Sequence, residues 1–217
     1  MDRATADTAL VLMRHGQSED NARDLFSGLR DPALTPRGVE EARAAGRSLK
    51  ALGLRFDVAF TSRLRRAQDT LALMLGELGQ PDLSVEKDAA LNERDYGELA
   101  GLNKTEARAR FGGDQVRSWR KSYEAVPPGG ESLAMAAARV WPFFEGRIAP
   151  RFRDGASVLV VAHGNSLRAL LVQLERIAPE AIEEVNLGTA EFLIYAAAAE
   201  GGLVRRAAIA PEADRTA

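Results

Sequence analysis

Leu10-Val11-Leu12-Met13-Arg14-His15-Gly16 and its counterpart Val158-Leu159-Val160-Val161-Ala162-His163-Gly164 decide how this chain folds. A run of four or five apolar residues closed by Gly reads as a strand of a mainly parallel sheet, buried on both faces. Each His then stands just past the carboxyl end of its strand, the edge where open α/β sheets bind ligands. These are the only two histidines in the chain. Although far apart in sequence, the two imidazoles can meet in one crevice, with Arg14 beside the first, and that combination suits phosphoryl chemistry. Taken singly, either His reads equally as a polar residue at a strand end. The shared context and the flanking arginine favour a joint site.

Working outward, Thr35-Pro36 is an N-cap followed by Pro at the first helical position. Val39, Ala42, Ala45, Leu49 and Leu52 then recur at helical spacing up to Gly53. Asp57 to Thr61 predicts a short strand, and Leu64, Ala67, Leu71, Leu75 and Leu78 predict the helix after it, stopped by Gly79. A helix from Lys104 to Phe111 is closed by Gly112-Gly113. Another runs from Glu131 towards Ile148 after the loop Pro127-Pro128-Gly129-Gly130. The second His-bearing strand leads into a helix from about Asn165 to Leu174. Phe192 to Tyr195 and Leu203 to Ile209 read as late strands joined through Gly201-Gly202 like a hairpin. This order predicts a three-layer α/β/α fold with a mainly parallel mixed sheet and helices on both faces. The 217 residues suit a single domain over 1–217, with a polar tail from about residue 211.

Composition narrows the chemistry. A formal net charge of -2 and a pI near 5.8 lack the basic footprint of a nucleic-acid or membrane-surface binder, so cations must act locally. With no cysteine there is no disulfide, thiolate nucleophile or Cys-type zinc site. The first residues, Met1 to Asp7, lack a basic segment followed by an apolar stretch, and no apolar segment approaches the roughly 20 residues that span a bilayer. The expectation is a cytoplasmic protein.

An enzyme that works through phosphohistidine needs a neutral imidazole to attack phosphorus, and fixed cations or amide dipoles to meet the charge on the phosphoryl oxygens. Arg14-His15-Gly16 supplies a nucleophile and one guanidinium, and Gly16 lets backbone come close to a phosphate. A second arginine is expected from Arg63, Arg65 or Arg66, at a helix start directly after a strand. His163, followed by Gly164 and Asn165, would complete the cradle.

Leu12-Met13-Arg14-His15-Gly16-Gln17-Ser18-Glu19 resembles the signature of the histidine phosphatase superfamily. The stretch Leu91-Asn92-Glu93-Arg94-Asp95-Tyr96-Gly97-Glu98-Leu99-Ala100-Gly101-Leu102-Asn103-Lys104 is more specific and resembles the substrate-binding segment of the cofactor-dependent phosphoglycerate mutases. The match continues through Ala162 to Arg168 and covers almost the whole chain.

The resemblance implies that His15 is the phosphorylated nucleophile, with Arg14, Arg66 and His163 around the phosphoryl group and Glu93 as general acid and base. Arg66 is the arginine immediately before Ala in the family pattern. By the same resemblance Gly16, Gln17, Ser18, Glu19, Asp20, Asn21, Ser27 and Gly28 belong to the phosphate and substrate pocket. Arg94, Asp95, Tyr96, Lys104, Arg120 and Lys121 belong to the part that holds the substrate's carboxylate and second phosphate, and Gly164 and Asn165 also bind substrate. It further implies 2,3-bisphosphoglycerate as priming phosphate donor, no metal, phosphoglycerates as small-molecule partners, and a homodimer or homotetramer, with a monomer left open. Three departures stand out. Lys121 replaces an arginine and loses its planar fork, the insertion that longer members carry after the proline pair is missing, and the C-terminal tail is short.

The expected activity is interconversion of 3-phosphoglycerate and 2-phosphoglycerate through phosphohistidine. A phosphomonoester hydrolase with the same cradle is the alternative, distinguished by whether the group at Asn92 to Tyr96, Lys104 and Arg120 is needed. A binding protein that keeps the fold is disfavoured by the joint presence of His15, Arg14, Arg66, Glu93 and His163.

Overall fold

The first apolar run becomes β1 (Leu10–Arg14), and its alternating side chains explain why every position is apolar. Leu10 and Leu12 enter one core, Val11 and Met13 the other, so both faces of the strand are covered. Each such buried side chain contributes roughly 1.5–3 kcal/mol. The structure, a computed structural model, describes residues 8–198 and 202–211.

Among the described residues β1 joins β2 (Val58–Thr61), β3 (Val85–Lys87), β4 (Val158–Ala162), β5 (Phe192–Ala197) and β6 (Leu203–Ile209) in one sheet, ordered β3-β2-β4-β1-β5-β6. The first four run parallel, while β5 and β6 are antiparallel additions at one edge. On one face lie α2 (Pro36–Ala51) and α3 (Arg65–Leu78), which bury Ala45, Leu49, Leu71 and Met74 against β1, β2 and β4. On the other lie α6 (Leu133–Phe143), α7 (Ala149–Arg153) and α8 (Gly164–Leu174), with Val140, Phe152, Leu167 and Leu171. This is the expected three-layer α/β/α arrangement. A single turn, α1 (Glu19–Ala22), follows β1 and is capped by Ser18.

Several boundaries differ from the sequence reading. Gly112, at φ 87°, turns the chain as expected, but Gly113 opens a further helix, α5 (Gly113–Lys121), instead of closing α4 (Lys104–Phe111). Together α4 and α5 bury Ala107 and Val116 around Phe26 and Leu99 in a small separate core. Strand β3 has three residues, too few to show a period, and is held by parallel pairing to β2. Helix α6 starts after Ser132, whose side chain caps it, rather than at Glu131. Pro142 lacks an N–H to donate back, and the helix passes through a π turn at Phe144–Ile148 before α7. The pairing of β5 with β6 makes the expected hairpin, but Gly201, Met1 to Asp7 and the tail beyond Pro211 lie outside the described residues.

Candidate active site

Strands β2, β4 and β1 are neighbours, and their registers pair Thr61 with Val161 and Arg14 with Ala162, so their carboxyl ends line up. His15 leaves β1, Ser62 leaves β2 and His163 leaves β4. The imidazoles of His15 and His163 lie edge to face with centroids 5.0 Å apart. Arg66, in the first turn of α3 and 0% exposed, reaches the same point, its Nε 3.3 Å from His15 Nε2.

Hydrogen bonds fix the tautomer of His15. Nδ1 lies 2.6 Å from the Gly16 carbonyl and donates to it, which leaves the lone pair on Nε2, the atom Arg66 faces. Burial lowers the His15 pKa well below its ordinary value, and the charges of Arg66 and Arg14 lower it further. His163 is lowered in the same way, by burial first and then by Arg66, His15 and Arg14. Its Nε2 is 2.7 Å from Ser62 Oγ, which also accepts from the Leu64 amide. The Ser62 proton can therefore go to Nε2, which leaves His163 Nδ1 as a buried donor without a partner.

Both imidazoles are neutral at pH 7, and this has a consequence for stability. The unfolded chain protonates them near pH 6.5, whereas the folded chain resists protonation until lower pH. This part of the stability is intact above pH 6.5 and falls below it, by up to about 1.4 kcal/mol per pH unit for each imidazole. Thermal unfolding from pH 8 to pH 5 should show the decline, and the His15→Gln, His163→Gln double variant should flatten it. An equal decline in that variant would assign the effect to other groups.

The remaining cations are tied to the fold in different ways. Arg66 donates Nη1 to Arg30 O and Nη2 to Gly28 O, and so holds the Ser27-Gly28 loop beside His15. Arg14 donates Nη1 to Leu187 O at 2.6 Å, while its Nε is buried without a partner. The exposed Arg63 and Arg65 point away from this group, Arg65 pairing with Asp69.

Glu93 is 8% exposed, and Oε1 accepts from the amides of Arg94 (2.8 Å) and Asn165 (3.1 Å). The second amide belongs to the first turn of α8, where a negative charge is favoured. The Glu93 carbonyl, with those of Ala90 and Asn92, accepts from Arg139 of α6. Arg139 is in turn gripped by Glu131. Burial would raise the Glu131 carboxyl, but Arg139 and the Asp95 amide outweigh it and keep it below the ordinary range. No ion pair joins Glu93 to Arg94. Arg94 is 0% exposed and lies 4.7 Å over the ring of Tyr96.

A cleft of about 170 Å³ opens beside this group. Of the residues the sequence singled out, Arg14, Asn21, Ser27, Gly28, Glu93, Tyr96, Lys104, Arg120, Lys121, Gly164 and Asn165 line it, and Arg168 reaches it too, while His15, Arg66 and His163 are not part of its lining. Lys104 pairs with Asp24, and Lys121 donates to Asn186 Oδ1 and Glu183 O. The Arg120 guanidinium makes no hydrogen bond or ion pair among the described residues.

Other expected residues sit elsewhere. Asp20 is buried against Arg30, Asp95 caps the turn at Gly97, Gln17 bonds Thr35, and Glu19 is exposed on α1. Ser18 and Asn21 cap α1 for each other. Packing alone requires glycine at position 16. A Cβ there would lie 2.3 Å from Gly38 O, and one on Gly38 would lie 2.0 Å from Gln17 O, so both must be glycine for α2 to abut the His15 loop. The sequence reading missed Ser62, Arg139, Asn186 and Leu187. Only Ser62 gave a signal, its place after a strand like the two histidines. Among the described residues no three His, Cys, Asp or Glu side chains gather as a metal site would need, and no helix is long and apolar enough to cross a membrane.

Comparison with known proteins agrees with this geometry. The 2,3-bisphosphoglycerate-dependent phosphoglycerate mutase of Parvibaculum lavamentivorans is 54% identical over 197 residues, 91% of this chain and 94% of that protein. The enzyme of the same name from Methylobacterium sp. (strain 4-46) is 60% identical over 186 residues, 86% of this chain and 89% of that one. A solved mycobacterial glucosyl-3-phosphoglycerate phosphatase superposes with a TM-score of 0.80 at 27% identity, covering 92% of this chain and 97% of the other. The family model of the histidine phosphatase superfamily (branch 1) matches residues 10–209, the span from the strand before His15 to the end of β6. A chain that carries the paired histidines at adjacent strand ends and matches that model over nearly its whole length belongs to the histidine phosphatase superfamily, branch 1.

Proposed function

We propose that the chain interconverts 3-phosphoglycerate and 2-phosphoglycerate as a 2,3-bisphosphoglycerate-dependent phosphoglycerate mutase. The observation that carries this reading is a neutral, arginine-faced His15 Nε2, buried next to Arg14 of a cleft whose wall also carries Lys104, Arg120 and Lys121. A cation-rich cleft suits a ligand bearing a carboxylate and two phosphates, and mutases of that name share 54–60% identity with the chain.

In this reading 2,3-bisphosphoglycerate supplies the phosphoryl group that charges His15. His15 Nε2 forms the bond to phosphorus as the bond from phosphorus to the departing oxygen breaks. Arg14, Arg66 and His163 Nδ1 meet the charge on the equatorial oxygens. With Oε1 held by two amides, Glu93 has Oε2 left to give a proton to the departing oxygen and to take one from the other hydroxyl on return. Lys104, Arg120, Lys121 and Tyr96 hold the end of the substrate that does not react. The reading also includes no metal, a cytoplasmic location, a single domain and a homodimer or homotetramer.

Hydrolysis of phosphomonoesters is the second reading, favoured by the likeness to a phosphatase structure. A coupled assay on 3-phosphoglycerate separates the two. Turnover to 2-phosphoglycerate should need a catalytic amount of 2,3-bisphosphoglycerate and should survive a chelator. Release of inorganic phosphate in place of 2-phosphoglycerate favours the hydrolase, and activity lost to chelator and restored by manganese overturns the metal-free scheme.

A further inference from the structure

Arg120 is the cleft cation whose guanidinium nothing in the described structure holds. Its position therefore depends on its backbone, at the last turn of α5. The final carbonyls of a helix lack intrahelical partners and carry partial negative charge. Here they are met from outside by buried guanidinium groups. Arg168, 6% exposed, donates Nη1 to Arg120 O (3.3 Å) and Nη2 to Lys121 O (3.1 Å). Arg94 adds Nη2 to Arg120 O at 3.4 Å.

The same fork reaches two other walls of the cleft. Nη1 also donates to Asn165 Oδ1 (3.0 Å), in the first turn of α8, and Nη2 to Ile182 O (2.8 Å), in the 3-10 turn Pro179–Glu184. That turn runs on to Asn186 and Leu187, which hold Lys121 and Arg14. Elsewhere α5 is fixed by Val116, its single buried residue, by Trp119 against Phe111, and by Arg117 and Lys121 reaching Glu183. The Arg168 fork is the contact made directly at both the Arg120 and Lys121 carbonyls. A lysine could not take this place, since four acceptors around a plane need a guanidinium and not a point charge.

We propose that Arg168, although it reaches the lining of the cleft, acts as a positioning residue that sets affinity for phosphoglycerate by fixing where Arg120 stands. The proposal rests on the mutase reading of the site. It is tested by calorimetric binding of 3-phosphoglycerate and of inorganic phosphate to wild type, Arg168→Lys and Arg168→Ala, alongside kcat and KM in the coupled assay. Affinity for 3-phosphoglycerate should fall about tenfold or more in Arg168→Ala, and by less in Arg168→Lys. Affinity for inorganic phosphate, and kcat, should move less than about threefold. In an Arg120→Ala background Arg168→Lys should add less than about twofold, because the two changes remove one interaction.

Equal loss for both ligands, loss of kcat at unchanged KM, or full additivity with Arg120→Ala overturns the proposal. An Arg168→Lys protein that fails to fold also overturns it, since the fork would then support the fold as a whole. Should the variants show the affinity split while wild type does not turn over 3-phosphoglycerate, the mutase reading fails and the assignment of Arg168 stands.

Discussion

Replacing His15 with alanine should abolish phosphate incorporation from labelled 2,3-bisphosphoglycerate and cut turnover by roughly 10⁴-fold or more, the scale on which loss of an attacking group is felt. Nε2 of His15 is the ring nitrogen left with a lone pair in the buried cluster, since Nδ1 is committed to the Gly16 carbonyl. Replacing His163 should behave differently. It removes one donor to the transferring group and leaves the attacking atom, so His163→Ala should still take label while transferring it about 10²- to 10³-fold more slowly. Peptide mapping after brief labelling checks both outcomes. Label on His163, or undiminished label in His15→Ala, would reverse the assignment.

Glu93→Gln should lower kcat by roughly 10²- to 10⁴-fold with a much smaller change in substrate affinity. Glutamine keeps an oxygen to accept from the amides of Arg94 and Asn165, so the local backbone is preserved while the base is lost. The measurement is kcat and KM for 3-phosphoglycerate, with labelling of His15 as a control for phosphate binding. Near-normal turnover in Glu93→Gln would mean that another group or solvent moves the proton, and would favour the hydrolase reading.

The frame of this fold was legible because its signals are local. Each His-bearing strand is a continuous apolar run, and α2, α3 and α8 carry periodic apolar stripes, the first of them behind a Thr35 cap and Pro36. What stayed hidden depends on partners remote in sequence. Strand β3 exists through pairing with β2, and α5 through Val116 packing near Phe26. The candidate site divides in the same way. His15 and His163 sit at strand ends that periodicity reveals, whereas Arg66, in the first turn of α3, is picked out from Arg63 and Arg65 by the resemblance. The resemblance located Glu93, Lys104 and Arg120 by motif, but neither it nor any pattern showed that Asp20 and Asp95 would turn into Arg30 and a backbone turn. Arg139 sits in a helix with no mark to separate it from a surface charge, and only its three carbonyl partners show that it holds the Glu93 segment.

The pairings of Lys104 with Asp24 and of Lys121 with Asn186 bear on how the cleft chooses among the anions of a cell. With these ammonium groups already engaged, an arriving anion exchanges one partner for another, and its gain is a difference rather than a full new attraction. A small monovalent anion cannot displace both internal partners and gains little. A ligand that spans the cleft, with a charge at each end, can engage both lysines and Arg120 together. Selection by exchange holds ground-state binding down, which suits an enzyme that must release a product nearly identical to its substrate.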